Sequence, residues 1–175
     1  IITIAVAITI WALGVKLIRE MLETVTIWDY QVGLHFKDGR FIETLESGKH
    51  RLWGHGHSVL LFDSRITEMV VQGQELITSD SATVKLTAVS QFKIADALKF
   101  HQGAENAHGA LYTQIQLAMR ELIGGLELDA ILERKVDFGK TLLNGVSETA
   151  LAELGIQVVR IEIRDVILGG ELKTS

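Results

Sequence analysis

The residues best suited to chemistry lie in one run, His50-Arg-Leu-Trp53-Gly-His55-Gly-His57. Three imidazoles at spacings of five and two could converge on a metal ion, since neutral histidine is a common zinc ligand. The chain has no Cys, and no carboxylate follows the run before Asp63. The simpler reading is a glycine-rich loop whose imidazoles face water or lipid headgroups, so no metal is expected. Ser58, His57 and Asp63 are also near one another in sequence, but a nucleophilic triad is defined in space. No G-x-S-x-G elbow, H-E-x-x-H helix or glycine-rich phosphate loop accompanies them. Asp29, Asp38, Asp63, Asp80 and Asp165 fall mostly at predicted turns and strand ends, where such side chains ordinarily cap. We expect no catalytic residue, no cofactor and no enzymatic activity.

Composition narrows the alternatives. The 175 residues are enough for one domain with an appendage. A formal charge of −5 argues against nucleic acid as the main partner. Mean hydropathy is +0.26, and the apolar excess sits at the N-terminus. Residues 1–15 read IITIAVAITIWALGV, without a charge. As a helix they rise about 22 Å, and Lys16, Leu17 and Ile18 extend this to about 27 Å, close to the ~30 Å hydrocarbon core. We read residues 1–23 as a membrane-anchor helix, with Ile8 and Leu17 facing lipid and Trp11 at an interface. A signal peptide is disfavoured by the missing basic start and the missing small-residue cleavage site. Lys16 and Arg19 follow the span, which places the rest of the chain on the cytoplasmic side. The first residue is not Met, and the chain stops at Lys173-Thr174-Ser175, so a fragment of a longer protein is expected.

The elements downstream are short strands, then helices, then a strand. Strands are predicted over 24–28, 31–36, 41–45, 58–62 and 66–71, with a turn at Lys37-Asp38-Gly39-Arg40. The clearest strand is 82–94, whose even positions are mostly apolar and odd positions mostly polar. Helical spacing over 104–123 puts Leu111, Ile115, Ala118, Met119 and Leu122 inward. Leu128–Arg134 reads as a short helix with Asp129 at its N-cap. Asp137–Leu154 reads as one helix closed by Gly155. The last strand, 156–168, is predicted to turn Val159, Ile161, Ile163 and Ile167 to one side and Arg160, Glu162 and Arg164 to the other. The order gives an α+β fold in which the last strand joins an antiparallel sheet laid down earlier.

Six phrases in this order resemble the stomatin/slipin branch of the SPFH (band 7, prohibitin-like) superfamily, nearest bacterial slipins. Tyr30-Gln-Val-Gly-Leu-His-Phe-Lys-Asp-Gly-Arg40-Phe is similar to the opening "YExGVxxRxGR" hairpin, and Leu61-Phe-Asp-Ser-Arg65 follows it. Gln74-Glu-Leu-Ile-Thr-Ser-Asp80 resembles "QEILTKD", and Gln114–Gly124 resembles the "LR-x-x-x-G" helix. Leu154-Gly-Ile-Gln-Val resembles "WGI-x-V", and Arg164-Asp165-Val-Ile-Leu168 resembles "KDVxLP". The chain has no Pro; Ser47, Ala97 and Gly169 stand where the family usually carries one.

The resemblance implies residues 24–175 as an SPFH domain, with the family's C-terminal coiled coil absent from this stretch. It implies a membrane scaffold that self-assembles into rings or cages of many subunits, organises microdomains in a bacterial inner membrane and regulates membrane proteins such as proteases. The alternative is a dedicated adaptor of an NfeD-type membrane protease that forms no large cage. The family's bilayer-dipping loop corresponds to Leu52 and Trp53, which with membrane lipids form the expected contact. Arg134, Arg160, Glu162 and Arg164 are the expected contacts with neighbouring subunits.

Overall fold

A computed structural model describes residues 11–15, 22–133, 137–146 and 148–169. Residues 11–15 form a helical stretch, α1. Among the described residues, no helix is long and apolar enough to cross a membrane. The anchor expected over residues 1–23 falls largely outside the described residues.

The chain forms two compact units that meet in sequence between Asp63 and Ser64. Among the described residues, the first contains five strands: β1 (Leu22–Ile27), β2 (Gln31–Lys37), β3 (Arg40–Leu45), β4 (Gly48–Trp53) and β5 (His57–Asp63). β1 pairs antiparallel with β4, and β2 lies between β3 and β5. The two-residue turn Asp38-Gly39 has φ of 50° and 77°, the positive values that a tight hairpin turn matched to strand twist needs at both positions. A side chain at Gly33 would collide with Ile27 at 2.6 Å, so glycine lets β1 pack tightly on β2. Strand β4 corrects the expectation of a turn at Ser47-Gly48 and a glycine-rich loop over 50–57. Its lone inward apolar residue, Leu52, gives little periodic signal.

The second unit is a three-stranded antiparallel sheet, β6 (Thr67–Ile77), β7 (Thr83–Ile94) and β8 (Ile156–Gly169), in the order β6-β7-β8. The alternation read along β7 holds: Val84, Leu86, Ala88, Ser90 and Phe92 are all buried. Between β7 and β8 come α2 (Ala97–Gln102), α3 (Ala107–Gly124), α4 (Leu128–Leu132), α5 (Phe138–Gly145) and α6 (Glu148–Glu153). Leu111, Ile115, Ala118, Met119 and Ile123 of α3 bury their side chains in one core with the apolar face of β7. Ile123 is fully buried where Leu122, the expected residue, is only partly so.

Several boundaries differ from the reading of the sequence. Asp96 and Asn106 accept hydrogen bonds from Lys99 N and Gly109 N, capping α2, which was not foreseen, and α3. The single helix expected over 137–154 is two. Val146 takes ψ of 125°, leaves the helix and buries its side chain, so core burial outweighs helix continuation there. Gly155 has φ of 65° as its capping role requires, and its carbonyl accepts from Ala95 N and Asp96 N. Asp129 does not cap α4, whose N-cap position is Glu127. The carboxylate of Asp80 accepts from Leu128 N instead, at 3.2 and 3.3 Å.

Candidate functional site

The register of the first ribbon places Leu22 opposite Trp53, Thr24 opposite Arg51 and Thr26 opposite Lys49. Directly opposed residues share a face. All six of these side chains are exposed, whereas the alternate residues Ile27 and Leu52 are buried. Leu52 was expected to meet the membrane together with Trp53. It is 7% exposed and faces the interior, whereas Trp53 is 55% exposed at the end of β4. Strand alternation separates the two neighbours, so only Trp53 is presented.

Behind Trp53 lies a chain of polar contacts that crosses three strands. Glu43 Oε1 lies 3.3 Å from His35 Nδ1, and His35 Nε2 lies 2.8 Å from His57 Nδ1. His57 Nε2 donates to the carbonyl of Trp53 at 2.9 Å. His35 is buried. The Trp53 carbonyl can only accept, so His57 Nε2 must carry a proton. A neutral His57 then accepts at Nδ1 from His35 Nε2–H. His35 Nδ1 meets the Glu43 carboxylate as a donor only if His35 carries a second proton. Asp38 N also donates to Gly56 O at 2.9 Å, which ties the β2–β3 turn to the turn that follows Trp53.

The three histidines singled out in the sequence do not converge. His50 Nε2 donates to the Glu46 carbonyl at 2.8 Å, while His57 pairs with His35. Among the described residues, no group of three or more His, Asp or Glu could hold a metal ion. His35 was missed because it lies 22 residues before His57 and only the antiparallel pairing of β2 with β5 joins them. The available signal was its place in the strand 31–36, two residues from Gly33 on the same face.

In the second unit, β8 carries two bulges. Asp165 faces Thr87 and Ile163 faces Ala88, leaving Arg164 without a cross-strand partner; Val159 is skipped likewise between Arg160 and Val158. Each bulge shifts the side-chain phase by one residue. This corrects the expected faces: Val159 and Ile167 are exposed, while Ile161 is buried and Ile163 partly so. Arg160 and Glu162 are exposed and form an ion pair with each other within the strand. Arg164 is exposed at its bulge. Beside them, an open groove of about 880 Å³ runs between α5 and β8, lined by Phe138, Leu143, Val159, Ile163 and Val166. Ile8, Leu17 and Arg134 lie outside the described residues, and Trp11 is 73% exposed on α1.

Two carboxylates fix the helices around this groove. Asp137 caps α5, and the Lys140 backbone N–H, aided by its ammonium, holds the carboxyl below the ordinary carboxylate value. Asp80 is likewise lowered, chiefly by the hydrogen bond from Thr78 Oγ1 and then by that from Leu128 N. In the same sequence phrase, Gln74 Oε1 accepts from Gln116 Nε2 at 2.8 Å, which links β6 to α3. The phrase Gln74–Asp80 thus anchors two helices to the sheet.

Residues 25–175 match the family described as SPFH domain / Band 7 family. The chain belongs to that family. It is 28% identical to Stomatin-1 of Caenorhabditis elegans over 85% of its length and 45% of the relative's. It is 27% identical to a stomatin homolog of Pyrococcus horikoshii, covering 90% of this chain and 55% of the homolog. An uncharacterized protein of Methanocaldococcus jannaschii is also 27% identical, with 86% and 75% covered. The chain therefore spans about half the length of these stomatin relatives. Proteins of this stomatin-like family are generally membrane-associated, non-enzymatic scaffolds.

Proposed function

We propose that this SPFH protein is a membrane-anchored scaffold that self-assembles into closed rings or cages and so organises the membrane proteins around it, proteases among them. One observation carries the membrane half of this reading. Trp53 stands opposite Leu22, four residues after the apolar run ends at Ile18. An anchor over residues 1–18 that leaves Leu22 at the bilayer surface leaves Trp53 there too, and an exposed tryptophan suits that interface. Placement in a bacterial inner membrane, with the domain on the cytoplasmic side, belongs to the same proposal and rests on Lys16 and Arg19.

The assembly half rests on the groove between α5 and β8. It exposes Val159 and Val166, next to the half-buried Leu143, beside the Arg160–Glu162 pair and Arg164, so apolar and charged side chains meet there as they do in subunit contacts. Because Arg160 and Glu162 already neutralise each other, their share in a contact would be register more than affinity. The test is the mass of the full-length protein, gently extracted with its lipids, by mass photometry. Closed particles of many subunits support the scaffold. Monomers or dimers that grow only when an NfeD-type protease is added would favour a dedicated adaptor instead.

A further inference from the structure

We infer that the exposed face of the β1–β4 ribbon reads anionic lipid headgroups, with Trp53 as the foot, Arg51 as the phosphate-binding rung above it and Lys49 beyond, acting through the surface potential. This rests on the membrane reading of Trp53 and adds a lipid class to it. Strand alternation puts Trp53, Arg51 and Lys49 on one face, with Leu22, Thr24 and Thr26 opposite them. All six are exposed, and none is acidic. Among the described residues, neither Arg51 nor Lys49 forms an ion pair. Two free cations in line on a protein of net charge −5 are a local exception to its overall charge.

The strand rise sets the heights. Arg51 stands about 7 Å and Lys49 about 13 Å from Trp53 along the strand. With the indole at the interface, the flexible Arg51 side chain reaches the phosphate layer directly. Lys49, about 13 Å from the indole, lies beyond a Debye length of about 8 Å and contributes mainly through the surface potential. Each cation near an anionic surface favours the bound state by about fivefold. Arg51 supplies the larger part, and added salt weakens both. Thr24 and Thr26, directly opposite the cations, add neither bulk nor negative charge to that face.

The probe is Trp53 itself. Within these 175 residues, Trp11→Phe and Trp28→Phe leave it as the sole tryptophan, and any tryptophan elsewhere in the full-length protein is replaced by Phe likewise. The protein is reconstituted into vesicles of brominated phosphatidylcholine, with or without brominated phosphatidylglycerol, and indole quenching is read at low and high salt. The expected result is quenching that rises severalfold with phosphatidylglycerol and falls with salt. Arg51→Gln with Lys49→Gln should abolish that increment and leave quenching in the neutral vesicles unchanged. Both positions are exposed, and retained chemical shifts of the core would verify the fold. Equal quenching in the two compositions overturns the headgroup inference while leaving Trp53 at the membrane. Absence of quenching in both overturns the membrane reading, and the headgroup inference with it.

Discussion

The two units of this chain spend their interiors differently. The first buries an imidazole, His35, and holds its exposed Trp53 through hydrogen bonds that run from Glu43 to the Trp53 carbonyl. The second buries a continuous apolar core of α3 against β7 and keeps its charges outside. Short strands in two small sheets enclose little apolar area, so directional bonds fix the turn that Trp53 ends. A three-stranded sheet covered by helices derives its stability chiefly from burial, and its hydrogen bonds at Gln74, Asp80 and Asp137 only set where the helices sit. The polar unit is thus the one whose geometry is set atom by atom, and the apolar unit is the one that carries stability.

Substitutions separate these roles. Phe92→Ala, at the centre of the second core, should cost about 3–5 kcal/mol and lower the thermal midpoint markedly. A loss no greater than a surface substitution's would break the contrast. His35→Ala should cost less, about 1–3 kcal/mol, because it strands His57 and removes a buried hydrogen-bonded group. Its distinguishing effect is local: faster amide exchange around residues 53–57, with the second core unchanged. Ser90→Ala goes the other way. Ser90 is fully buried on the core face of β7, and its Oγ has no hydrogen-bond partner among the described residues. Removing the hydroxyl should raise stability by about 1 kcal/mol or less, read by denaturant unfolding. The smallest effect is with pH. Asp80 and Asp137 have folded values lowered below the ordinary ~3.9. Their contribution is present above that value and is lost as pH falls through the lower folded values. Exchange at the first turns of α4 and α5 should quicken below about pH 4 and be flat above about pH 5.

Much of the fold was legible because local pattern and tertiary role coincide. β7 alternates cleanly because one face is wholly buried, and Asp38-Gly39 marks its turn by chemistry alone. What escaped depends on pairing. The bulges at Val159 and Arg164 exist only in register with β7, so a strict two-residue period misplaced Val159 and Ile167. The apolar spacing Leu142, Val146, Ala150, Leu154 continues across the break between α5 and α6, so the break left no periodic mark. Asp80 caps α4 from 48 residues away, where no local rule reaches. The candidate membrane tip was half legible: the residues were noticed, but alternation, which needs β4 to be a strand, decides that Trp53 is outside and Leu52 inside.

Hydrogen–deuterium exchange of the full chain tests most directly whether the two units serve two different surfaces. It is measured in detergent as dissociated subunits, in detergent as the assembled particle, and reconstituted in vesicles. The expected result is that assembly slows exchange along residues 138–145 and 159–166, while lipid slows it along 22–27 and 48–57. Vesicles that leave residues 48–57 unchanged, or assembly that protects them in place of the groove, would contradict the division.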